Sequence, residues 1–271
     1  MDLKNKVVII TGASSGIGKA CAEEFARRGA NLVLGARQYV NLCEITSDLE
    51  QRYNIKAIAV QCDVSKEEDC EKLVNQAVIT FKRIDILINN AGISMRALFN
   101  DLDLVVIKNL MDVNFWGAVY CTKYALPELL KFHGSVVGVS SIAGFHGLPG
   151  RTGYSASKFA LQGFLGALRI ENLKAGLHVM VAAPGFTASN IRKVALVKDG
   201  SAQGESSMHE EKMMTSEKVA EIIADGIIKR KSSVVMTGQG KLMVFLSKFM
   251  PRFLDKLVYN HFTKEKDPLI R

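Results

Sequence analysis

The chain has 271 residues, of which 48% are hydrophobic and 23% charged, and its mean hydropathy is +0.12. These values are typical of a compact globular protein and exclude disordered, collagen-like and other low-complexity architectures. The net charge is +8, and the segment from Lys229 to Arg271 alone holds ten Lys or Arg residues against three acids. Because no base-stacking aromatic residues accompany these charges in a known module, we predict no nucleic-acid partner.

Short apolar, β-branched runs alternate along the chain with longer stretches of helical period, such as Gly18–Arg28 and Lys66–Phe81. Seven runs predict strands: Val7–Thr11, Asn31–Ala36, Lys56–Cys62, Ile84–Asn89, Ser135–Ser140, Leu177–Ala183 and Ser233–Thr237. Strands that alternate with helices pair in parallel through right-handed crossovers, so that helices cover both faces of one sheet. The predicted fold is therefore α/β, a doubly wound parallel sheet of seven strands in a single domain.

The first predicted strand ends in a glycine-rich turn that opens a helix, Thr11-Gly12-Ala13-Ser14-Ser15-Gly16-Ile17-Gly18. Glycines at such a turn let the backbone approach a pyrophosphate, and the helix N-terminus adds unpaired N–H groups and a partial positive charge. The spacing G-x-x-x-G-x-G differs from the common G-x-G-x-x-G. We nevertheless predict a dinucleotide site at this turn, with an ordinary glycine turn as the alternative. Its residues are Gly12, Ser14, Ser15, Gly16, Ile17 and Gly18.

The second predicted strand ends at Ala36 and is followed by Arg37, where an acid is common. An acid there accepts a hydrogen bond from the ribose 2′-hydroxyl of NAD(H), whereas an arginine accommodates the 2′-phosphate of NADP(H). Arg37 therefore favours NADP(H) as the cofactor. The alternative is a solvated arginine at the start of a helix.

Tyr154 and Lys158 are four residues apart and therefore share one face of a predicted helix. An ammonium about 5 Å from a phenolate attracts it by roughly 3 kcal/mol at an effective dielectric of about 20. This attraction is enough to lower the pKa of Tyr154 by about two pH units. The pair predicts a site of proton exchange, although Y-x-x-x-K alone is a weak signal.

Together these motifs resemble the classical short-chain dehydrogenase/reductase family, and the resemblance covers nearly the whole chain. Asp63-Val64 resembles the family's adenine-contacting pair, Asn89-Asn90-Ala91-Gly92 its fourth-strand motif, and Pro184-Gly185 the turn beside the nicotinamide. Asn114 and Ser141 resemble its active-site asparagine and serine. The resemblance implies a Rossmann-like fold, NADP(H) bound by these motifs and by Tyr154 and Lys158, and a homodimer or homotetramer.

The resemblance also implies a catalytic tetrad of Asn114, Ser141, Tyr154 and Lys158. Tyr154 would act as general acid towards a carbonyl oxygen, to which Ser141 would donate a hydrogen bond. Lys158 would hold ribose hydroxyls, and Asn114 would position a water that relays protons. Two assignments stay open: Ser140 is the alternative donor, although strand alternation turns it to the other face, and either Thr187 or Ser189 would contact the carboxamide.

Three loops are expected to line the substrate pocket: Ile93–Leu98, Ile142–Arg151 and Phe186–Met214. They are rich in Met, Phe, Ile and Leu, which predicts a hydrophobic ketone or alcohol as the substrate. The third loop contains the longest irregular segment, about 187–214, and loops of this length are often lids. His146 is either a substrate contact or a solvated loop histidine.

The amphipathic, basic segment from Gly240 to Phe262 resembles that of the lipid- and steroid-handling members of the family. We therefore expect an NADP(H)-dependent reductase of a 3-ketosphinganine-type or other long-chain keto-lipid. A hydroxysteroid dehydrogenase or a 3-oxoacyl reductase is the alternative within the family. The alternative outside enzymes is a scaffold that senses NADPH without turnover.

A basic extension, residues 240–271, follows the predicted catalytic domain, residues 1–239. On a helical wheel of 240–262, Lys241, Lys248, Arg252 and Lys256 gather on one side with Asp255, and apolar residues fill the opposite face. The longest apolar run is too short to span a bilayer, and Pro251 should kink or divide the helix. The segment is predicted either to contact a membrane peripherally or to cap the core or a partner subunit.

The cysteines and histidines show no metal-ligand spacing, so we predict no metal site. The five cysteines form no C-x-x-C pair and are odd in number, which favours reduced thiols. The predicted location is the cytoplasm, with peripheral attachment at the inner face of a membrane as the alternative.

Overall fold

A computed structural model describes residues 2–187, 191–204, 213–264 and 268–270. Within these residues, seven strands form one parallel sheet in the order β3-β2-β1-β4-β5-β6-β7. The strands are β1 (Val7–Thr11), β2 (Asn31–Ala36), β3 (Ala57–Gln61), β4 (Ile86–Asn89), β5 (Ser135–Val139), β6 (His178–Ala183) and β7 (Ser233–Val235). All seven predicted strands are confirmed, with ends that differ by at most two residues.

Helices connect the strands and cover both faces of the sheet. They are α1 (Gly16–Arg27), α2 (Tyr39–Tyr53), α3 (Glu67–Phe81), α4 (Leu104–Met111), α5 (Gly117–Lys131), α6 (Thr152–Glu171), α7 (Ser216–Ile228), α8 (Gly238–Phe249) and α9 (Pro251–Phe262). Helices α1, α2 and α7 bury their apolar residues on one face, and α3, α5 and α6 on the other. The predicted doubly wound, Rossmann-like fold is confirmed.

The core lies in two layers, one on each side of the sheet. Successive side chains of a strand point to opposite faces, so Val8 and Ile10 of β1 pack towards α1 and α7 while Val7 and Ile9 pack towards α3, α5 and α6. All four are buried. A strand that is buried on both faces has a continuous apolar run. The sequence of β1, VVIIT, therefore predicts a strand although its apolar and polar residues do not alternate.

The carboxyl ends of the parallel strands meet at one edge of the sheet. The glycine turn follows β1, Asn90 follows β4, Ser141 lies just beyond β5, and Pro184 follows β6. Doubly wound sheets bind ligands at this edge, where the strand order reverses. Here that reversal lies between β1 and β4. The fold therefore brings the predicted site residues to one crevice.

Part of the predicted lid is hydrogen-bonded to the loop after β4. The Leu196 N–H donates to the Ser94 carbonyl, and the Arg96 N–H donates to the Leu196 carbonyl, both at 2.8 Å. Thr187 and Met214 form an isolated parallel bridge. Residues 188–190 and 205–212 lie outside the described part of the chain, so a lid over 187–214 stays a prediction.

The C-terminal extension forms two helices, because α8 ends at Phe249 and Pro251 begins α9, with Met250 between them. Proline suits the first turn of a helix, where its missing N–H has no partner, but not a helix interior. Across the four described ranges, no helix has the length and apolar character needed to cross a bilayer.

Candidate active site

The glycine turn after β1 is a tight backbone cradle. Gly12 and Gly16 have φ angles of +65° and +53°, a region that L side chains rarely adopt. Gly18 has no room for a side chain, because a Cβ there would lie 2.2 Å from the Gly12 carbonyl oxygen. The N-cap residue of α1, Ser15, makes no side-chain capping bond, and Ile17 packs on the core. Such a cradle fits a pyrophosphate.

Asn90 joins the glycine turn to the end of β4. Its side-chain nitrogen donates to the carbonyl oxygens of Thr11 (2.9 Å) and Gly12 (3.2 Å). The Thr11 hydroxyl in turn accepts the N–H groups of Asn90 (3.0 Å) and Ala91 (3.1 Å). Asn90 and Ala91 therefore hold the shape of the turn, a role that the motif alone did not indicate. On the outer side, the Asn41 side chain donates to the Ser14 carbonyl at 3.2 Å.

Arg37 borders a surface pocket of about 290 Å³ at the carboxyl ends of β2 and β3. The pocket is lined by Arg37, Gln61, Asp63, Lys66, Asp69 and Lys72. Both acids are engaged locally: Asp63 accepts from the Ser65 hydroxyl (2.8 Å), and Asp69 accepts from the Asp63 N–H (2.9 Å). The three cations form no ion pair with any residue in the described ranges. The pocket therefore has three cations against two carboxylates, a small positive excess, and Val64 is buried next to it.

Ser141 faces the Tyr154 phenol. The Ser141 hydroxyl lies near the Tyr154 hydroxyl and favours its ionised form by lowering the pKa of the phenol, and the Ser141 oxygen accepts the Ala143 N–H at 3.2 Å. The Ser140 hydroxyl instead accepts from the Gln162 side chain at 3.0 Å. The structure thus brings Ser141, and not Ser140, to the phenol, as the alternation of strand side chains requires.

Burial controls the ionisation of Tyr154 and Lys158. It raises the pKa of Tyr154, and the opposing effects of the nearby Ser141 hydroxyl and the Arg151 charge do not cancel it. It lowers the pKa of Lys158 to about 8. The prediction that Lys158 lowers the Tyr154 pKa is therefore wrong for this structure, because loss of water around the phenolate outweighs charge attraction. The Lys158 nitrogen lies 5.7 Å from the phenol ring centre and donates to the Val139 carbonyl at 2.9 Å.

Asn114 is buried in a short π-helix, Asp112–Trp116, between α4 and α5. Its side-chain oxygen accepts the Ile93 N–H (2.8 Å), and its nitrogen donates to the Ile93 carbonyl and to the Ser157 hydroxyl (both 2.9 Å). A Cβ built on Gly92 would lie 3.1 Å from the Asn114 oxygen and 3.4 Å from the Lys158 nitrogen. The fold therefore places Asn114 and Lys158 around the same glycine.

The turn after β6 lies against the segment that follows Ser141. The Pro184 carbonyl accepts the Ile142 N–H at 3.4 Å. The Thr187 hydroxyl is buried and donates to the Gly185 carbonyl at 3.2 Å. Ser189 lies outside the described residues, so the choice between Thr187 and Ser189 as the carboxamide contact stays a prediction.

An apolar cluster lies beside Tyr154. Its buried members are Met95, Ala97, Leu102, Val106 and Leu110, and Ile93, Ile107 and Leu196 pack against them. Met95 is fully buried and so belongs to the core of this cluster rather than to a pocket surface. Phe186, from the third predicted pocket loop, is exposed, and so is Phe99, which follows the first loop.

His146 contacts the C-terminal extension. Its Nε2 atom lies 3.1 Å from a carboxylate oxygen of Asp255 in α9. The pair has only two candidate metal ligands. In the described ranges, no group of three or more His, Cys, Asp or Glu residues is arranged to hold a metal ion.

A sequence model of the short chain dehydrogenase family matches residues 6–199, well over half of the chain. The chain belongs to the short-chain dehydrogenase family. The order of the family's motifs along this chain agrees with the crevice described above.

Individual relatives and solved structures agree with this membership. The chain is 42% identical over 205 residues to 11-beta-hydroxysteroid dehydrogenase A of Arachis hypogaea. The aligned region covers 75% of this chain and 58% of the relative. The chain therefore spans little more than half the length of that relative. A short-chain dehydrogenase of Sphingobium yanoikuyae in complex with NADPH has a TM-score of 0.76 and 26% identity, covering 96% of both chains. A short chain dehydrogenase/reductase of Burkholderia phymatum in complex with NAD has a TM-score of 0.81 and 22% identity. The match covers 91% of this chain and 94% of that chain, and at this identity it supports the fold alone.

Three residues of the site in this short-chain dehydrogenase were not predicted. Lys66 and Lys72 lie beside Arg37 only because α3 packs beside β2 and β3. Ser157 belongs to α6, and its hydroxyl accepts a hydrogen bond from the Asn114 side chain. Their one sequence signal is position: Lys66 follows Asp63-Val64 closely, and Ser157 lies between Tyr154 and Lys158.

Proposed function

We propose that this short-chain dehydrogenase is an NADP(H)-dependent oxidoreductase that reduces the ketone of a hydrophobic substrate to an alcohol. The observation that carries the proposal is the juxtaposition of Ser141 and Tyr154, with Lys158 on the same helix, its nitrogen 5.7 Å from the phenol ring centre, and Asn114 beside Lys158. A scaffold that only senses the nucleotide needs none of these side chains. Their juxtaposition therefore favours an enzyme.

The residues that would hold NADP(H) follow the carboxyl edge of the sheet. The turn from Gly12 to Gly18 fits the pyrophosphate, and Asn90 to Gly92 and Pro184-Gly185 border the path towards Tyr154. The charge of Arg37, Lys66 and Lys72 around one pocket supports a 2′-phosphate and hence NADP(H). The solved neighbours bind NADPH in one case and NAD in the other, so the support comes from this pocket. When bound, the nicotinamide supplies the hydride for the carbonyl carbon.

Tyr154 would donate the proton that the reduced carbonyl oxygen needs. Its raised pKa keeps the phenol protonated at neutral pH, which is the state that a general acid requires. The Ser141 hydroxyl, which lies near the phenol, would donate to the same oxygen and stabilise its developing charge. Lys158, with a pKa of about 8, exchanges protons readily near neutral pH and would support reprotonation of Tyr154. In alcohol oxidation these roles are reversed.

The substrate would be hydrophobic because the surroundings of Tyr154 are apolar. Two classes fit this description, a 3-ketosphinganine-type or other long-chain keto-lipid and an oxosteroid. The similarity to a protein named 11-beta-hydroxysteroid dehydrogenase favours the oxosteroid as the second candidate. A 3-oxoacyl substrate has no such support.

A screen of oxosteroids and long-chain 3-keto compounds for NADPH consumption tests this function. We expect turnover of at least one class, and Tyr154→Phe should reduce kcat by about 100-fold or more because the proton donor is lost. Tyr154→Phe should still bind NADPH, as measured by fluorescence titration. Tyr124→Phe, which removes an exposed hydroxyl on α5, is the matched control and should keep wild-type kcat. NADPH binding by the wild type without turnover of any compound would instead support the sensing scaffold.

The assembly and the location stay predictions. We expect a homodimer or homotetramer, which sedimentation velocity of the purified chain measures directly. A cytoplasmic location, with or without membrane attachment, is measured by fractionation of cells that express the tagged chain.

A further inference from the structure

Helices α8 and α9 expose a large apolar surface, here named the α8–α9 surface. Its side chains are 44–69% exposed: Leu242, Phe245, Phe249, Met250, Phe253 and Leu257. The three from α8 are spaced by three and four residues, and so are on one face of the helix. The rings of Phe245 and Phe249 pack with their centres 4.9 Å apart. The exposed apolar area is on the order of 600 Å², the upper limit of patches on ordinary monomers.

The same helices carry positive charge. Between Gly238 and Phe262 there are four basic residues, Lys241, Lys248, Arg252 and Lys256, and all four are exposed. None of them forms an ion pair within the described ranges. The one acid of this segment, Asp255, is paired with His146. Lys241 and Lys248 border the apolar face of α8, and Arg252 and Lys256 border Phe253. Helices that lie in a bilayer interface show this combination of apolar face and flanking cations.

The inner sides of the two helices fix the surface to the catalytic region. Leu254 and Phe262 are buried. A Cβ on Gly240 would lie 3.1 Å from the Ile142 side chain, and a Cβ on Gly150 would lie 2.4 Å from that of Leu269. With the pair of His146 and Asp255, the extension contacts the loop between Ser141 and Tyr154 at three points. The α8–α9 surface is therefore held beside the loop that is expected to line the substrate pocket.

We propose that the α8–α9 surface docks on an anionic lipid bilayer, with its phenylalanines at the boundary of the acyl chains and its basic residues at lipid phosphates. A second copy of the chain fits less well. A two-fold symmetric contact through this surface would bring two sets of these four cations to one interface, with one acid per copy, Asp255, which already contacts His146. Docking does not depend on turnover, but it would place the predicted substrate loop beside a reservoir of hydrophobic ketone.

Co-sedimentation of the full chain with vesicles tests the proposal. We expect wild-type protein to bind vesicles of phosphatidylcholine mixed with phosphatidylglycerol about tenfold or more tightly than phosphatidylcholine alone, and to release them at high salt. The triple variant Phe245→Ser, Phe249→Ser, Phe253→Ser and the double variant Lys248→Glu, Arg252→Glu should each lose at least tenfold in vesicle affinity. The matched control, Ile170→Ser with Leu173→Ser, removes two exposed apolar residues of another surface and should bind like wild type.

Several outcomes overturn the docking proposal. The first is that the wild-type protein stays in the supernatant when it is mixed with the vesicles that contain phosphatidylglycerol. The second is that the triple variant folds and binds these vesicles as tightly as the wild type. A wild-type dimer that the triple variant converts to monomer in sedimentation velocity assigns the surface to a second copy. If the triple variant does not fold, the double variant decides, since its substitutions are fully on the surface. Because vesicle binding is read without any ketone, failure of the enzymatic screen leaves this result unaffected.

Discussion

Lys158 is a buried ammonium whose charge opposes folding. Burial lowers its pKa from 10.5 to about 8, and the Val139 carbonyl is its one hydrogen-bond acceptor in the described ranges. Between these two pKa values the unfolded chain binds more protons than the native chain, so the free energy of unfolding rises with pH in this window. Below pH 8 the buried charge lowers the free energy of unfolding by about 3 kcal/mol relative to its value above about pH 10.5.

Lys158→Met should remove this pH dependence. From about pH 7 to about pH 10, the free energy of unfolding of the wild type should rise relative to that of the variant by up to about 3 kcal/mol. Urea unfolding at both pH values, followed by the fluorescence of Trp116, measures the difference. Lys123→Met, an exposed lysine on α5, is the control and should follow the wild type. If the free energy of unfolding changed with pH in the same way in the wild type and in Lys158→Met, the result would contradict the burial of a titrating ammonium.

Arg37 is the residue on which cofactor choice should depend. Arg37→Asp replaces a cation of the 290 Å³ pocket with a carboxylate that repels a phosphate. The loss of a charge-assisted hydrogen bond predicts that the ratio of kcat/KM for NADPH to that for NADH falls by about 10- to 100-fold. Lys174→Asp makes the same change of charge on an exposed lysine at the opposite edge of the sheet and should leave the ratio unchanged. An unaltered ratio in Arg37→Asp would show that another residue reads the phosphate.

At the scale of elements, the strands were predictable because burial on both faces requires apolar runs. Their ends were less predictable, because they depend on contacts between distant segments. The fourth strand was expected to begin at Ile84 but begins at Ile86. The reason is the buried Asp85, which accepts the Val7 N–H at 2.9 Å and pairs with Lys6 and Arg83. A side chain thus replaces a strand carbonyl as the acceptor of the Val7 N–H, although the Asp85 N–H still donates to the Val7 carbonyl at 3.0 Å.

The motifs located the site, but several of its properties come from packing that a motif does not encode. A hydrophobic period of 3.6 residues contains no sign of the π-helix that carries Asn114. The four-residue spacing of Tyr154 and Lys158 predicted their shared face, yet the pKa of Tyr154 rises because other elements exclude water from it. Lys66 and Arg37 meet only through the pairing of β2 with β3.

The turn between β1 and α1 offers a direct test of the cradle. In Gly18→Ala the new methyl group would clash with the Gly12 carbonyl, so we expect a lower Tm and at least a tenfold loss of NADPH affinity. Gly163→Ala is the matched control: it lies within α6, and its Cβ would meet no atom within 4 Å. That change should stabilise the protein by up to about 1 kcal/mol, since alanine favours helix more than glycine. Thermal unfolding and NADPH titration of both variants measure this contrast, and equal NADPH affinity in Gly18→Ala would contradict the cradle.

For the whole molecule, the extension shows why a helical wheel was insufficient. The predicted division at Pro251 is confirmed, but the single broad face is wrong for the seven residues that the wheel gathered there: Leu242, Leu246, Phe249, Met250, Phe253, Leu254 and Leu257. Pro251 lacks an N–H and starts a second helix, so the apolar residues separate into two sets. Leu254 and Phe262 are buried, whereas residues such as Phe249 and Leu257 are exposed. The core-capping alternative therefore holds for the inner set, and the outer set is the α8–α9 surface.

The attachment of α9 to the catalytic region should depend on its inner set. Leu254→Ala removes a buried side chain and should weaken that attachment by about 2–5 kcal/mol. Leu257→Ala, three residues away on the exposed face, should change stability by less than about 0.5 kcal/mol. Limited trypsin digestion measures the difference, because Lys248, Arg252 and Lys256 become cleavable once α9 detaches. We expect rapid cleavage there in Leu254→Ala while residues before β7 stay protected, and equal cleavage rates in the two variants would show that α9 is not held through Leu254.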